Sequence, residues 1–156
     1  MAVQVAEKNK VANEIGASGP LAAMLTFGEL SKVLNAIWRG SRREGKVKLD
    51  WQSQGPIDGE VEEEYQAVWQ KGSKSLTINV QRHLEEWTKK VGLFGHLTIS
   101  LIEEKSPEPL LNLNTQEVTQ QIKEQMWLVY EGIRESLDLP VEVSERQRKT
   151  FMDMVF

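Results

Sequence analysis

The chain has 156 residues, a formal net charge of −4 at pH 7 and no cysteine. This length fits one domain with a core of its own, and the acidic balance argues against duplex nucleic acid as the main partner, because phosphate binding depends on a basic surface. The lack of cysteine excludes disulfides and thiolate sites.

The N-terminal segment, residues 1–19, is predicted to form an arm. It is polar and ends in a short stretch that contains two glycines, which is typical of a chain terminus outside the core. We expect residues 20–156 to form a single α+β domain. An arm of this kind is usually disordered in a monomer, and in an assembly it often docks on a neighbouring subunit.

A helical region follows the arm. Pro20 suits the first position of a helix, and apolar residues then recur at the 3.6-residue spacing of an amphipathic helix. Thr26 and Glu29 have the spacing of a capping box, which predicts that the main helix begins at Phe27. Gly40 and Gly45 are expected to end it.

Three segments between residues 47 and 80 alternate apolar with polar residues, and breaks containing Gly or Pro separate them. This pattern is typical of a half-buried antiparallel meander. We expect one face of the meander to bury Trp51, Tyr65 and Trp69. Residues 60–71 also fit a helix with acids first and Gly next, and we favour a strand because both neighbouring segments are predicted strands.

The second half of the chain changes period several times. Residues 80–91 fit a helix, residues 97–102 a strand, and the two prolines in 106–109 a stiff connector. A capping-box spacing at Asn114 predicts the longest helix, and a last helix is predicted from Ser144. The apolar stripe of the longest helix consists of Val118, Ile122, Met126, Val129, Ile133 and Leu137.

These elements predict an α+β fold. We expect an antiparallel sheet of about four strands, with the long helices packed on one face of it, because neither kind of element can bury its apolar side alone. The chain contains no internal repeat and no low-complexity tract.

His83 and Glu86 stand three residues apart in the segment predicted as a helix, which would place them one turn apart. Such a pair can share a proton or contribute to a metal site. A metal site needs three or four ligands, and His96 is the only other histidine. An exposed polar helix face is the preferred interpretation, and we expect neither a metal nor a cofactor.

The densest acidic run lies at the start of the second predicted strand. Consecutive acids on a strand point to alternate faces, so paired-carboxylate chemistry is disfavoured. We instead expect the run to be solvated and to face basic residues of the preceding strand, which would fix the register of the hairpin. The acidic residues are Glu60, Glu62, Glu63 and Glu64, and the basic ones are Lys46 and Lys48.

Arg39, Arg42 and Arg43 form a basic loop after the main helix. Guanidinium groups bind carboxylates and phosphates well, so the loop is a candidate contact for an anion or an acidic partner. The alternative is that these residues only complement the negative end of the helix dipole. The order of a phosphate-binding P-loop is absent.

Two C-terminal segments carry more apolar residues than one packed face needs. Trp127 and Tyr130 share a second face of the longest helix, and Phe151, Met152 and Phe156 make the chain's end apolar. Because tryptophan is enriched at interface hot spots and a broadly apolar helix must be covered on several sides, we predict that these five residues contact a partner.

The sequence therefore favours a non-enzymatic interaction module: a subunit, an adaptor or a chaperone-like assembly factor that binds another protein or forms a homo-oligomer. One alternative is a binding protein for a small apolar ligand held between sheet and helices. Another is a small hydrolase-type enzyme that uses His83 and Glu86. No apolar run approaches the roughly 20 residues that span a bilayer and no signal-peptide pattern is present, so we expect a cytoplasmic location.

Overall fold

The computed structural model describes residues 10–44, 48–54, 61–83, 95–104, 106, 108–138 and 152–155. Its elements are a 3-10 helix at Val11–Asn13, β1 (Ala17–Ser18), α1 (Pro20–Met24), α2 (Phe27–Ser41), β2 (Gln52–Ser53), β3 (Val61–Lys71), β4 (Lys74–His83), β5 (His96–Glu103), β6 (Leu111–Asn114) and α3 (Gln120–Ser136). A helical turn lies at residues 152–155. No helix in these ranges is long and apolar enough to cross a membrane.

The fold is α+β, as the sequence predicts, and its sheet is antiparallel. Six strands pair in the spatial order β1-β6-β5-β4-β3-β2, so β2 to β6 form a meander and β1 adds to the far edge. The expected number was about four strands. The two additional strands are β1, which has two residues at the sheet edge, and β6.

Two helix predictions are corrected by strands. β4 extends through His83, so the helix predicted from residue 80 is wrong at its start, because each residue up to His83 pairs with β5. The rest of that predicted helix, residues 84–91, lies outside the described ranges. Asn114 ends β6 rather than capping the longest helix, since α3 begins at Gln120 after Thr119.

The first segment of the predicted meander is mostly not a strand. Leu49 donates its backbone N–H to the Gly40 carbonyl at 2.9 Å, so the chain here follows the end of α2. Within the described residues 48–53, only the two residues of β2 pair with the sheet. Trp51 is buried, as expected, and its indole Nε1 donates to the Ser41 hydroxyl at 2.8 Å.

The strand interpretation of residues 60–71 and the capping box are both confirmed. β3 runs from Val61 to Lys71. The Thr26 hydroxyl accepts a hydrogen bond from the Glu29 backbone at 3.2 Å, and the Glu29 carboxylate accepts one from the Thr26 backbone at 3.0 Å. This reciprocal pair satisfies two of the free N–H groups at the start of α2.

The second half of the predicted arm lies against the domain. Val11 is fully buried, and β1 pairs with β6 through Ala17 and Ser18. Gly19 allows this close approach: its φ is +99°, and a Cβ placed there would lie 2.5 Å from the Leu110 carbonyl oxygen.

One core lies between the helices and one face of the sheet. α2 and α3 come close at Gly132, where an added Cβ would lie 3.2 Å from the Trp38 ring. The predicted stripe of α3 is buried apart from Leu137, which is partly buried. The sheet contributes alternate residues of its strands to this face, which include Tyr65, Ala67, Ile78, Val80, Leu97, Ile99, Leu101, Leu111 and Leu113.

Candidate functional site

An open cavity separates α2 from the β3–β4 part of the sheet. Its volume is about 620 Å³, which is in the range of small-molecule pockets. The lining is predominantly apolar and comes from α1, α2, the sheet and the segment before β6. The lining residues are Leu21, Leu25, Lys32, Val33, Ala36, Ile37, Trp69, Lys71, Lys74, Ser75, Leu76, Ile78, Leu101, Glu103 and Leu110.

The sheet side of the cavity follows from strand alternation. Trp69 pairs with Leu76 across β3 and β4, and Ile78 pairs with Leu101 across β4 and β5. These residues share the inward face, because side chains two apart on a strand point the same way. Ile78 is fully buried at the inner end, while Trp69 and Leu76 are only partly buried.

The helix side is formed by consecutive turns of α2. Val33, Ala36 and Ile37 line the cavity, and their three- and four-residue spacing places them on one helical face. Ala36 supplies little volume at this position, so the gap between helix and sheet is not filled there. Leu21 and Leu25 close the cavity from the α1 side.

Charged residues surround the solvent side of the cavity. Lys32, Lys71 and Lys74 are exposed and line it together with the exposed Glu103. Lys71 and Lys74 are the closing pair of the β3–β4 hairpin, and strand parity puts both on the same face as Trp69 and Leu76. In the described part of the chain, none of the three lysines forms an ion pair with an acidic side chain.

A second unusual feature is a buried polar cluster at the opposite end of the same sheet face. The Glu63 carboxylate accepts hydrogen bonds from the hydroxyls of Tyr65 and Tyr130 and from the guanidinium groups of Arg82 and Arg134. The Arg82 contact is 2.8 Å long. The side chains of Arg82, Arg134 and Glu63 are only 4%, 12% and 14% exposed.

The cluster holds Glu63 in its charged form. Burial raises the pKa of its carboxyl, but hydrogen bonds from Tyr130, Tyr65 and Arg82 and the charge of Arg134 outweigh burial, so the pKa lies below its ordinary value. Burial, together with the neighbouring Glu63 carboxylate, raises the pKa of both tyrosines. Neither tyrosine therefore ionises near neutral pH. The cluster joins β3, β4 and α3, which is a structural role.

The interpretation of the acidic run is wrong for Glu63. Glu63 pairs with Arg82 and lies two residues before the inward-facing Tyr65. Strand alternation therefore places Glu63 on the inward face, toward two arginines, instead of outward toward lysines of the preceding strand. Glu64 is also buried and accepts a hydrogen bond from the Gln81 side-chain amide. Lys46 and Glu60 lie outside the described ranges.

The basic loop is exposed. Arg39, Arg42 and Arg43 all lie on the surface. The Arg42 guanidinium stacks over the Trp38 ring at 5.0 Å, and Arg43 forms an exposed ion pair with Asp50 at 3.6 Å. These contacts do not test whether the loop binds an anion or an acidic partner, and that role stays a prediction.

The predicted partner-contact residues are not all at the surface. Tyr130 is buried and bonded to Glu63, and Trp127 is partly buried with its ring edge-on to Tyr130 at 5.6 Å. Met152 is exposed. Phe151 and Phe156 lie outside the described ranges, and the partner role of this set stays a prediction.

The two histidines lie side by side on the sheet. His83 of β4 pairs with His96 of β5, their rings stack at 4.6 Å, and His83 Nε2 is 3.2 Å from the Thr98 hydroxyl. Glu86 lies outside the described ranges, so the proposed acid–base pair is untested. Among the described residues there is no group of three or more His, Cys, Asp and Glu side chains placed to hold a metal.

The sequence predicts burial for Trp69 and does not distinguish a cavity-lining position from a packed one, because apolar residues at both follow the same periodicity. One signal was available: Lys71 and Lys74 fall on the apolar face of their strands. Comparison of the chain with family models, curated proteins and solved structures finds no match.

Proposed function

We propose that this protein binds a small apolar ligand in the cavity between α2 and the sheet. The supporting observation is the cavity itself, with about 620 Å³ of space lined by apolar side chains of helix and sheet. Small-molecule sites are concave, mostly apolar clefts of about 300–1,000 Å³. An open apolar space of this size therefore suits a small apolar ligand.

The lining explains how a ligand would gain affinity. Each methylene group moved from water into an apolar site contributes about 0.8 kcal/mol. The strands and α2 that line the cavity are anchored elsewhere in the core, so little ordering is needed on binding. The charged lining residues lie on the solvent side, and the inner lining consists of apolar side chains.

The proposal is tested by titrating the full chain with dodecan-1-ol and following tryptophan fluorescence and calorimetric heat. Trp69 lines the cavity, so its emission should change on binding. Ala36→Phe places a ring in the space and displaces several methylene groups of the ligand. We expect it to weaken binding about tenfold or more.

Ala23→Phe is the matched control, because Ala23 is exposed on α1 and does not line the cavity. It should leave the dodecanol affinity unchanged. Circular dichroism checks that both variants remain folded. Equal binding by Ala36→Phe and the unsubstituted chain, or no saturable binding by the latter, contradicts the proposal.

A second candidate function is the interaction module. Its supporting observation is apolar exposure outside the cavity: Leu128, Met154 and Val155 are 46%, 58% and 57% exposed. Deleting residues 144–156 should then abolish complex formation, measured by light scattering, and leave the urea melt nearly unchanged. A full-length chain that stays monomeric and captures no partner would contradict this function. A cytoplasmic location and the absence of duplex nucleic acid as a partner remain predictions.

A further inference from the structure

We propose that the cavity takes a single-chain amphiphile with one anionic end, of the long-chain carboxylate class. This inference rests on the proposed function and adds the chemistry of the ligand's polar end. It places the carboxylate at the lysines on the solvent side and the hydrocarbon chain between α2 and the sheet.

The hairpin that borders the cavity carries the first argument. Lys71 and Lys74 face each other directly as the last pair before the two-residue turn. Like charges at directly opposed positions destabilise a hairpin. Both lysines lie on the cavity side of the sheet, at its exposed edge. An anion bound between them removes this repulsion.

The helix side supplies a third positive charge. Lys32 lines the same cavity one turn before Ala36. The cavity lining therefore carries three positive side chains, those of the lysines, and one negative side chain, that of Glu103. Two more acidic residues lie near these lysines. Hydrogen bonds with Thr26 and, to a smaller extent, the charge of Lys32 lower the carboxyl pKa of Glu29. Glu104 accepts a hydrogen bond from the Ser75 hydroxyl at 3.2 Å.

The inner lining carries the second argument. Val33, Ile37, Ile78 and Leu101 offer only apolar atoms, and Ile37, Ile78 and Leu101 are buried. A charged group placed among them would lose its hydration without compensation. The only arrangement that suits both parts of the cavity puts the charge outside and the chain inside, which is the polarity of an amphiphile.

The test compares three twelve-carbon probes, each below its micelle-forming concentration: dodecanoate, dodecan-1-ol and dodecyltrimethylammonium. Dodecanoate should bind most tightly and the cation most weakly. Dodecanoate affinity alone should fall as salt is raised, because exposed charges are screened. Shortening the carboxylate to decanoate should weaken binding about fourfold per methylene.

Charge substitutions separate the polar end from the chain. Lys32→Gln/Lys71→Gln/Lys74→Gln should weaken dodecanoate about tenfold, since each exposed charge contributes modestly, and should leave dodecanol unchanged. Glu103→Gln should act in the opposite direction and tighten dodecanoate. Lys48→Gln is the control, because Lys48 is exposed and outside the cavity lining.

The outcomes distinguish this inference from the proposed function. Equal affinity for dodecanoate and dodecanol, with both weakened by Ala36→Phe, contradicts the proposal of an anionic ligand end. It supports the proposed apolar site. Tightest binding of the cation also contradicts the anionic ligand end. Saturable binding of none of the three probes overturns both proposals.

Discussion

Replacing Glu63 with glutamine tests how much the buried cluster contributes to the free energy of unfolding. The carboxylate accepts hydrogen bonds from Tyr65, Tyr130, Arg82 and Arg134. Glutamine keeps one acceptor oxygen and presents an amide donor to groups that are themselves donors. It also leaves two arginines, 4% and 12% exposed, without the carboxylate between them.

Removing one member of a buried ion pair costs about 3–5 kcal/mol, and we expect Glu63→Gln to lie in that range at pH 7. Urea denaturation measures the cost. Glu117→Gln is the control, because Glu117 is exposed and its change should stay within about 0.5 kcal/mol. Adding Arg134→Met to Glu63→Gln should cost less than the sum of the two single changes, by about 1–3 kcal/mol.

The same variant makes a pH prediction. The folded-state pKa of Glu63 lies below the ordinary value of 4.5, so its stabilisation is present above that value and is lost as pH falls through the folded pKa. The gap in unfolding free energy between wild type and Glu63→Gln should therefore narrow below about pH 4.5. A cost below about 1 kcal/mol at pH 7, or a gap independent of pH, would refute the charged buried cluster.

Two further predictions concern stability. Gly19→Ala should destabilise the chain, because the new Cβ would lie 2.5 Å from the Leu110 carbonyl oxygen. Gly28→Ala in α2 meets nothing closer than 4.0 Å and should stabilise the chain by up to about 1 kcal/mol. The melting temperatures of the two variants should therefore shift in opposite directions. Charge reversal at both Arg42 and Arg43 should leave the free energy of unfolding, measured in urea, within about 0.5 kcal/mol of wild type. Unfolding of that variant would show that the loop is structural.

Sequence reasoning succeeded where one local rule decided the outcome. The capping box at Thr26 and the stripe of α3 depend on residues within a few positions of each other, and both are present. β3 required a choice between strand and helix, and the turn residues on its two sides favoured the strand.

It failed where a distant strand supplied the partners. β4 continues to His83 because β5 offers backbone partners along the whole length, although the local period also fits a helix. β6 alternates Leu111 and Leu113 with asparagines, but the prolines before it favoured a connector. The inward position of Glu63 follows from its alternation with Tyr65, but its burial depends on Arg82 and Arg134, which come from β4 and α3.

The cavity could not be predicted because it depends on how far α2 stands from the sheet. The periodicity of Ile37, Trp69 and Ile78 is that of ordinary core residues. Whether such residues touch across the interior is set by how α2 rests on α3, close to Gly132. The one sequence feature that indicates an open cavity is the position of Lys71 and Lys74 on the apolar face of their strands.

The most direct measurement of the proposed ligand site is an NMR titration of the five tryptophan indole N–H signals with dodecan-1-ol. Trp69 lines the cavity, whereas Trp51 is buried against Ser41 and Trp127 packs on Tyr130. A binding site in the cavity predicts that the Trp69 signal shifts to saturation while those of Trp51 and Trp127 stay in place. Ala36→Phe should move the midpoint of that shift to a dodecanol concentration about tenfold higher or more. A saturable shift at Trp127 with none at Trp69, or no saturable shift at all, would contradict a binding site in the cavity.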